Sequence, residues 1–313
     1  DYQHEWRIPT SGPGTTASSW NSSMLSGTGG TFTSNPSINT TYYVENPPVV
    51  ESPPVLEPNP IYLAFQSNSP FALNVYDNTR HWNGTLYYST DTTTWSVWDG
   101  TTTLNSVNNK LYLRGKGNTV ITGNNQNYRW VLEGSNIECI GNIENLLDWE
   151  VVESGNHPSM TSYCYAHLFR DCTALTSAPA LPATTLADRC YYGMFADCAS
   201  LTSAPALPAT TLANYCYYYM FAGCTALTSA PALPAITLAY NCYRAMFQGC
   251  TSLTSAPVLP ATVLVEACYR SMFQGCTSLT SAPALPATTL KPYCYRSMFQ
   301  GCTALTSPPA LPA

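Results

Sequence analysis

The amino-acid sequence predicts an α+β multidomain protein, in which an extended N-terminal segment and a small β-sandwich precede a six-repeat α/β solenoid. The solenoid is indicated by two cysteine series with a 26-residue period: Cys164, Cys190, Cys216, Cys242, Cys268 and Cys294, then Cys172, Cys198, Cys224, Cys250, Cys276 and Cys302. A fixed period of this length is typical of chains whose repeats pack on their neighbours. The β-sandwich is indicated by short apolar runs between polar turns, and the extended segment by a stretch without a visible core.

Composition argues against two kinds of partner. The 313 residues carry a net charge of −6 and only 12 Lys and Arg, whereas a nucleic-acid surface needs clustered basic side chains. No apolar run approaches the roughly 18 residues of a membrane span. We therefore expect no nucleic-acid partner and no membrane span.

Residues 1–46 are rich in Gly, Ser and Thr, a composition that cannot bury enough apolar surface to fold alone. Two interpretations stay open. The segment is either a disordered tail, or an extended anchor that docks on a partner or another copy through Trp6, Trp20, Phe32, Tyr42 and Tyr43. Residues 47–60 contain six prolines and predict an extended polyproline-like spacer.

Residues 61–145 predict the small β-sandwich domain. Strands are expected at Ile61–Phe65, Phe71–Tyr76, Leu86–Tyr88, Trp95–Trp98, Lys110–Arg114, Thr119–Ile121 and Tyr128–Glu133. Ser89–Trp95 resembles the Asp-box turn, which braces a hairpin in the families that carry it. Asp91, Asp99 and Glu133 are the candidates for a glycosidase carboxylate pair, and we expect all three to be structural.

Each repeat is predicted to contain one helix and one short parallel strand. From Leu186, apolar residues at offsets 0, 4, 5, 8, 9 and 12 suit one helical face, and a Gly before the second cysteine of four repeats suits a helix end. The strand is expected at Leu-Thr-Ser-Ala, with its leucines stacked in one buried ladder: Leu175, Leu201, Leu227, Leu253, Leu279 and Leu305. Residues 146–163 are predicted to cap the N-terminal end of the solenoid in residues 164–313.

The repeated cysteines are expected to be buried free thiols. Small apolar side chains suit stacked ladders, and C-x7-C on a helix would hold the sulfurs about 12 Å apart. Disulfides remain the alternative. A zinc site is not expected, because the close C-x2-4-C spacing is absent.

The repeats CYYGMFADCASLTSAPALPATTLANY and CYRSMFQGCTSLTSAPALPATTLKPY resemble the BspA-like leucine-rich repeats, in which F-x-x-C-x-x-L-T recurs with a Pro-containing turn. More closely they resemble the CTxLTxAPxLPATTLAxxCYxxMFxG arrays of gut bacterial surface proteins and their phages. The resemblance covers residues 164–313 strongly and 61–150 loosely. It implies a leucine-rich-repeat-like solenoid and a role in adhesion or recognition at a cell or virion surface.

The positions around the first cysteine of each repeat vary, although the core positions scarcely change. Tyr and Arg, which are frequent contact anchors, recur there and predict an outward helix face for ligand or partner binding: Tyr163, Arg189, Tyr192, Tyr215, Tyr218, Tyr219, Tyr240, Arg244, Arg270, Tyr293 and Arg296. Neutral variation at solvated positions is the alternative. His167 occupies one of these positions and is expected to be exposed.

No phosphate loop, nucleophile elbow or metal motif occurs in the sequence, so we expect no enzymatic activity and no cofactor. The sequence predicts a homo-oligomeric recognition or adhesion protein, either a phage fibre or decoration protein or a bacterial adhesin. It would lie outside the cell, contact a protein or glycan at a cell surface, and attach through residues 1–46 to its own copies or to a structural protein. The alternative is a structural subunit of an extracellular filament that assembles through the N-terminal segment.

Overall fold

The computed structural model describes residues 60–307 and residue 309, and this part of the chain is mostly sheet with one α-helix. The predicted anchor residues lie outside the described residues: Trp6, Trp20, Phe32, Tyr42 and Tyr43. The predicted spacer, residues 47–60, also lies outside them except for its last residue. Both stay predictions.

Two open sheets make up the first part of the described chain. Its elements are β1 (Leu63–Gln66), β2 (Ala72–Val75), β3 (Thr85–Ser89), β4 (Ser96–Trp98), β5 (Leu104–Asn105), β6 (Lys110–Lys116), β7 (Trp130–Glu133), β8 (Ile137–Ile140), α1 (Asn145–Glu153) and β9 (Leu175–Ser177). One sheet has the order β4-β3-β6-β1-β8-β9 and the other the order β5-β2-β7. Every pairing between these strands is antiparallel except that of β8 with β9.

The two sheets share an aromatic core. Leu111 and Leu113 of β6 are fully buried, while Tyr112 between them is more exposed, as the two-residue period of a strand requires. Trp130 of β7 joins the sheets, because its ring lies 6.4 Å from Phe65 of β1 and 5.6 Å from Trp98 of β4 between centroids. The aromatic runs of the sequence therefore mark the interior correctly.

Three strand expectations differ from the structure. The strand expected in every repeat is present among the described residues only in the first repeat, as β9, and later repeats have isolated parallel bridges at Ser229, Ser255 and Ser281. β5 and β8 were not expected from the sequence, and the strand expected at Thr119–Ile121 does not form. The backbone there bonds to the first repeat instead, with the Ile121 N–H donating to the Cys164 carbonyl over 2.8 Å. Such a partner, far away in sequence, leaves no periodic pattern.

The Asp-box-like segment joins β3 to β4 as a hairpin turn, as the sequence predicts. The Asp91 carboxylate accepts the N–H groups of Thr93 and Thr94 at 2.9 and 2.7 Å, and the Trp95 indole N–H donates to the Thr92 carbonyl over 3.1 Å. These bonds lower the pKa of Asp91, the backbone N–H of Thr94 contributing most. A carboxylate held in this way braces the turn.

The first repeat continues directly from the sheets. β9 pairs in parallel with β8, and the Trp130 and Ile137 N–H groups donate to the carbonyls of Leu168 and Ala174, each over 2.8 Å. These bonds come from residues upstream of the predicted cap, residues 146–163. The helix α1 begins one residue before that segment and packs on β6, where a side chain at Gly115 would collide with the Leu146 carbonyl. The domain boundaries themselves stay predictions.

The prediction of one helix per repeat is wrong. Among the described residues the only α-helix is α1, and the expected helix from Leu186 to Cys198 is a series of turns. Every fourth residue there has a left-handed backbone: Arg189 (φ 56°), Gly193 (φ 54°) and Asp197 (φ 61°). The apolar offsets 0, 4, 8 and 12 fit a four-residue turn as well as the 3.6-residue helix.

Hydrogen bonds alternate between the turns and the next repeat. The Tyr192 N–H donates to the Arg189 carbonyl within its own turn over 3.2 Å, whereas the Tyr191 N–H donates to the Cys216 carbonyl of the following repeat over 3.1 Å. An α-helix would use both donors internally. Here every second N–H joins one repeat to the next.

Equivalent side chains of successive repeats lie on one another. Ring centroids are 5.7 to 6.1 Å apart in a tyrosine ladder that is buried at its first five members and partly buried at its last: Tyr165, Tyr191, Tyr217, Tyr243, Tyr269 and Tyr295. A phenylalanine ladder from Phe169 to Phe299 has spacings of 5.6 to 5.8 Å. The expected leucine ladder is fully buried from Leu175 to Leu279 and partly buried at Leu305.

All thirteen cysteines are free and buried, as predicted for the repeats. The thiol at the second repeat position also donates to a backbone carbonyl of the preceding repeat, as in Cys224 to Phe195 over 3.1 Å and Cys250 to Phe221 over 3.1 Å. Burial raises the pKa of Cys172, Cys268 and Cys276 to about 12. These three thiols are therefore neutral at physiological pH.

Candidate functional site

The variable side chains of the repeats project from the turns. The tyrosine directly after each first cysteine enters the buried ladder, so that Tyr217 is 1% exposed, while the next residue, Tyr218, is partly exposed. The outward positions predicted from the sequence are thus real surface positions in large part, although they lie on turns and not on a helix face.

Eight of the predicted residues form one continuous surface, which we call the tyrosine–arginine cluster: Tyr163, Arg189, Tyr192, Tyr215, Tyr218, Tyr219, Tyr240 and Arg244. Tyr218 stands at its centre. Its ring stacks on Tyr192 with centroids 4.9 Å apart and an interplanar angle of 19°, and lies 4.4 Å from Tyr219 and 5.7 Å from Tyr215.

Arginine side chains cover the tyrosine rings of the cluster. The Arg189 guanidinium lies 4.4 Å from the Tyr215 ring centroid and 5.3 Å from that of Tyr163, and the Arg244 guanidinium lies 5.0 Å from that of Tyr218. Among the described residues, neither arginine forms an ion pair. A cation over a ring face stabilises an exposed pair by about 0.5–1 kcal/mol, which restricts both side chains before any partner arrives.

The remaining predicted residues form a separate group at the last repeats. Tyr293 is 53% exposed, and the guanidinium groups of Arg270 and Arg296 lie 5.9 and 5.4 Å from its ring centroid. Among the described residues, no aromatic or cation–π contact joins the Tyr293 ring to the tyrosine–arginine cluster, although Arg244 and Arg270 occupy the same position in successive repeats. The tyrosine rings of the predicted face therefore fall into two groups.

Three tyrosine hydroxyls of the tyrosine–arginine cluster have a raised pKa. Burial raises the pKa of Tyr192 and Tyr218, with a further contribution from Tyr219 in each case. Burial also raises the pKa of Tyr215, and Tyr240 adds to the effect. The hydroxyls of Tyr192, Tyr215 and Tyr218 therefore stay neutral at physiological pH, and Arg189 and Arg244 supply the positive charge of the cluster.

Beside the cluster lies a cleft, defined here by His167, Arg170, Tyr192, Gly193, Asp197, Tyr219 and Gln248. The expectation that His167 is exposed is wrong, because the side chain is 6% exposed and its ring lies 4.5 Å from Tyr192 between centroids. Arg170, Asp197 and Gln248 were not recognised from the sequence. The sequence does contain a signal for two of them, because Arg170 and Gln248 occupy the same position in the first and fourth repeats.

The three carboxylates considered for catalysis have structural partners. Asp99 accepts the N–H groups of Thr101 and Thr102, each at 2.9 Å, and these bonds lower its pKa to about 2, Thr102 contributing most. Glu133 accepts from the Asn74 amide over 2.9 Å, and Asp91 braces its turn. Each of the three is engaged at the turn or strand that carries it.

Within residues 60–307 no group of His, Cys, Asp and Glu side chains has an arrangement that could hold a metal ion. In that same part of the chain, no helix is both long enough and apolar enough to cross a membrane. Comparison of the chain with protein-family models, with curated proteins and with solved structures found no match.

Proposed function

We propose that this chain is a non-enzymatic recognition or adhesion protein, exposed outside the cell at a virion or bacterial surface. The observation that carries the proposal is the tyrosine–arginine cluster, in which six tyrosine rings and two guanidinium groups form one network of contacts on the surface of stacked repeats. Tyr and Arg anchors dominate the energetics of many interfaces. Rings that are already ordered lose little side-chain entropy when a partner binds.

The finer fold proposal is a six-repeat leucine-rich-repeat-like solenoid with a 26-residue period. It is supported by parallel bridges between residues 26 positions apart, at Ser229, Ser255 and Ser281 and at Thr185, Thr211 and Thr237. It is also supported by the stacked ladders of Tyr and Phe. A stack of this kind holds surface side chains at fixed intervals, which suits recognition of an extended partner.

The proposed attachment runs through residues 1–46, which would dock on a structural protein of the virion or cell surface, or on other copies of the chain. This part of the proposal is based on the aromatic residues scattered through a segment with no core of its own. Resemblance of the repeats to the BspA-like arrays favours the same role. The alternative is a structural subunit of an extracellular filament that assembles through this segment.

A binding assay on intact cells tests the recognition proposal. Fluorescently labelled full-length chain is added to a panel of gut bacterial species, and bound label is measured by flow cytometry. We expect saturable binding to at least one species, and a loss of about tenfold or more in affinity on Tyr218→Ala. Thr254→Ala, an exposed change outside the tyrosine–arginine cluster, is the matched control.

Two results would contradict the proposal. One is an absence of saturable binding across the panel. The other is binding that Tyr218→Ala and Thr254→Ala weaken equally. Negative-stain images of the purified chain separate the alternative, because filaments at all concentrations favour a structural subunit.

A further inference from the structure

We infer that the cleft beside the tyrosine–arginine cluster is a subsite for a neutral hexopyranose unit of a glycan. The inference rests on the proposed recognition function and names the chemistry of one ligand for it. A pyranose has faces of C–H groups and a rim of hydroxyls. It therefore needs ring faces, hydrogen-bonding side chains and no strong net charge.

The shape of the cleft arises from one missing side chain. His167, Gly193 and Tyr219 occupy the same position in three successive repeats, and two strand spacings separate the outer two by about 10 Å. Glycine between them leaves a notch of about 400 Å³ that opens to solvent. A volume of this order falls in the usual range of small-molecule sites.

Both the neighbouring His167 and the backbone conformation favour glycine at position 193. Its φ is +54°, and a Cβ there would lie 2.7 Å from His167 Nδ1. The repeat position itself tolerates larger residues, since Tyr219, Ala245 and Ser271 have φ values of 56°, 51° and 54°. The notch therefore depends on His167 filling the space beneath it, and is specific to this part of the stack.

Unsatisfied polar groups line the cleft. His167 Nδ1 and Arg170 Nε are buried and make no hydrogen bond with the described residues, although Arg170 Nη1 donates to Gln126 Oε1 over 3.0 Å. Buried polar atoms nearly always have a partner, and exceptions often mark a site of function. Sugar hydroxyls both donate and accept, so they can satisfy a neutral imidazole and a guanidinium at once.

The charges around the cleft balance. Arg170 Nε lies 3.8 Å from the Asp171 carboxylate and 4.0 Å from that of Asp197, and Arg129 lies 3.2 Å from Asp171. Burial lowers the pKa of His167 to about 4, with Arg170 and Arg129 adding to the effect, so the imidazole is neutral at pH 7. Two arginines thus face two aspartates, which favours neither an anionic nor a cationic ligand.

The ring walls complete the subsite. Tyr192 and Tyr219 both line the cleft and are both partly exposed, and Tyr219 is held against Tyr218 with centroids 4.4 Å apart. Aromatic rings fixed in this way offer an apolar face at low entropic cost. Gln248 and Asp197 stand at the same opening and supply an amide and a carboxylate for the hydroxyl rim.

The test uses the full chain with D-glucose, D-galactose, D-mannose, L-fucose and N-acetyl-D-glucosamine as separate probes. Saturation-transfer NMR detects binding, and titration gives the dissociation constant. We expect one or more probes to bind, and Tyr219→Ala to weaken that binding by about tenfold or more. Ala245 occupies the position of Tyr219 in the next repeat with a similar φ of 51°, so this backbone conformation accepts alanine. Tyr87→Ala, at a partly exposed tyrosine of β3 that lies outside the cleft and outside the predicted binding face, should leave the dissociation constant unchanged within about twofold.

Three outcomes overturn the inference. The first two are that no probe binds, or that Tyr219→Ala and Tyr87→Ala bind the probe equally well. Cell binding that survives periodate oxidation of the cells but is lost after protease treatment also overturns it, while the recognition proposal stands. Conversely, saccharide binding that is lost in Tyr219→Ala, without any cell binding, supports the cleft and contradicts the recognition proposal.

Discussion

The two cysteines of each repeat occupy different chemical surroundings. Cys224 donates its thiol hydrogen to the Phe195 carbonyl over 3.1 Å, whereas Cys216 makes no side-chain hydrogen bond with the described residues. Both are fully buried. One position therefore needs a small group with a donor, and the other needs only a small apolar group.

This difference predicts that a cysteine-to-serine substitution destabilises the fold by different amounts at the two positions. Cys216→Ser buries a hydroxyl whose hydrogen has no acceptor and should lower the free energy of unfolding by about 1–3 kcal/mol. Cys224→Ser keeps a donor towards Phe195 and should cost about 1 kcal/mol less. Urea unfolding followed by tyrosine fluorescence measures both. Equal losses would show that the thiol–carbonyl bonds contribute nothing.

Thiol chemistry gives a second prediction at this scale. Burial raises the pKa of Cys172, Cys268 and Cys276 to about 12, and the thiolate is the reactive form. At pH 8.5 we expect iodoacetamide to label few cysteines in the folded chain. All thirteen should be labelled after unfolding in guanidinium without reductant. Mass spectrometry counts the labels, and labelling that requires reductant would instead show disulfides.

The buried and surface positions of single residues could be predicted from the sequence, because a residue that recurs in register meets the same surroundings in every repeat. The ladders at Leu227 and Cys224 are examples, as is the outward direction of Tyr218. The contact of Tyr218 with Tyr192, and the burial of His167 beneath Gly193, depend on the spacing between repeats. A single repeat carries no record of that spacing.

At the scale of elements, the turns of each repeat replace the expected helix because every second N–H finds a better partner in the next repeat. The Phe221 N–H donates to the Met246 carbonyl over 2.9 Å, and the Met220 N–H to the Tyr217 carbonyl over 3.2 Å. The sheet strands could be predicted because each alternates within itself. The turns could not, because half of their hydrogen bonds lie outside the segment.

The left-handed residues of the turns predict how substitutions from and to glycine change the stability of the fold. Gly275 and Ser271 have φ values of 76° and 54° in the same repeat. Gly275→Ala should lower the free energy of unfolding by about 1–2 kcal/mol, because an L-residue is disfavoured in the left-handed region. Ser271→Gly should cause no loss, because relief of that strain offsets the greater freedom of unfolded glycine.

Ser281→Gly is the matched control, since Ser281 forms a parallel bridge with Ser255 and has no positive φ. It should lower the free energy of unfolding by about 0.5–1 kcal/mol. Thermal unfolding of the three variants measures the order. If Ser271→Gly were as harmful as Ser281→Gly, the left-handed conformation of the turns would be contradicted.

For the described part of the molecule as a whole, the stack of repeats has two unlike ends. At the first repeat, Trp130 and Ile137 donate to carbonyls of the repeat, so this end is covered by strands of the sheets. In the repeat that begins at Cys268, the Tyr269 and Phe273 N–H groups donate forward to the Cys294 and Met298 carbonyls. The equivalent N–H groups of the last repeat find no acceptor among the described residues.

This polarity opposes growth of the stack by addition of further copies. A second copy cannot offer its first repeat to the open end, because the acceptors there already bond to its own sheets. Two open ends brought together would set the N–H donors of the turns, such as those of Tyr295 and Phe299, against one another, at a cost of about 1–3 kcal/mol for each buried group left without a partner. We therefore expect association to run through residues 1–46, as the sequence predicts.

Hydrogen exchange and sedimentation test this together. The amides of Tyr217 and Phe221 should exchange slowly, because each donates to the next repeat, whereas those of Tyr295 and Phe299 should exchange at nearly the rate of an open chain. Deletion of residues 1–46 should leave a chain that sediments as a monomer at all concentrations and keeps the same exchange pattern in the repeats. Slow exchange at Tyr295 that weakened on dilution of the deleted chain would mean that the open ends do associate, and the argument from unmatched donors would fail.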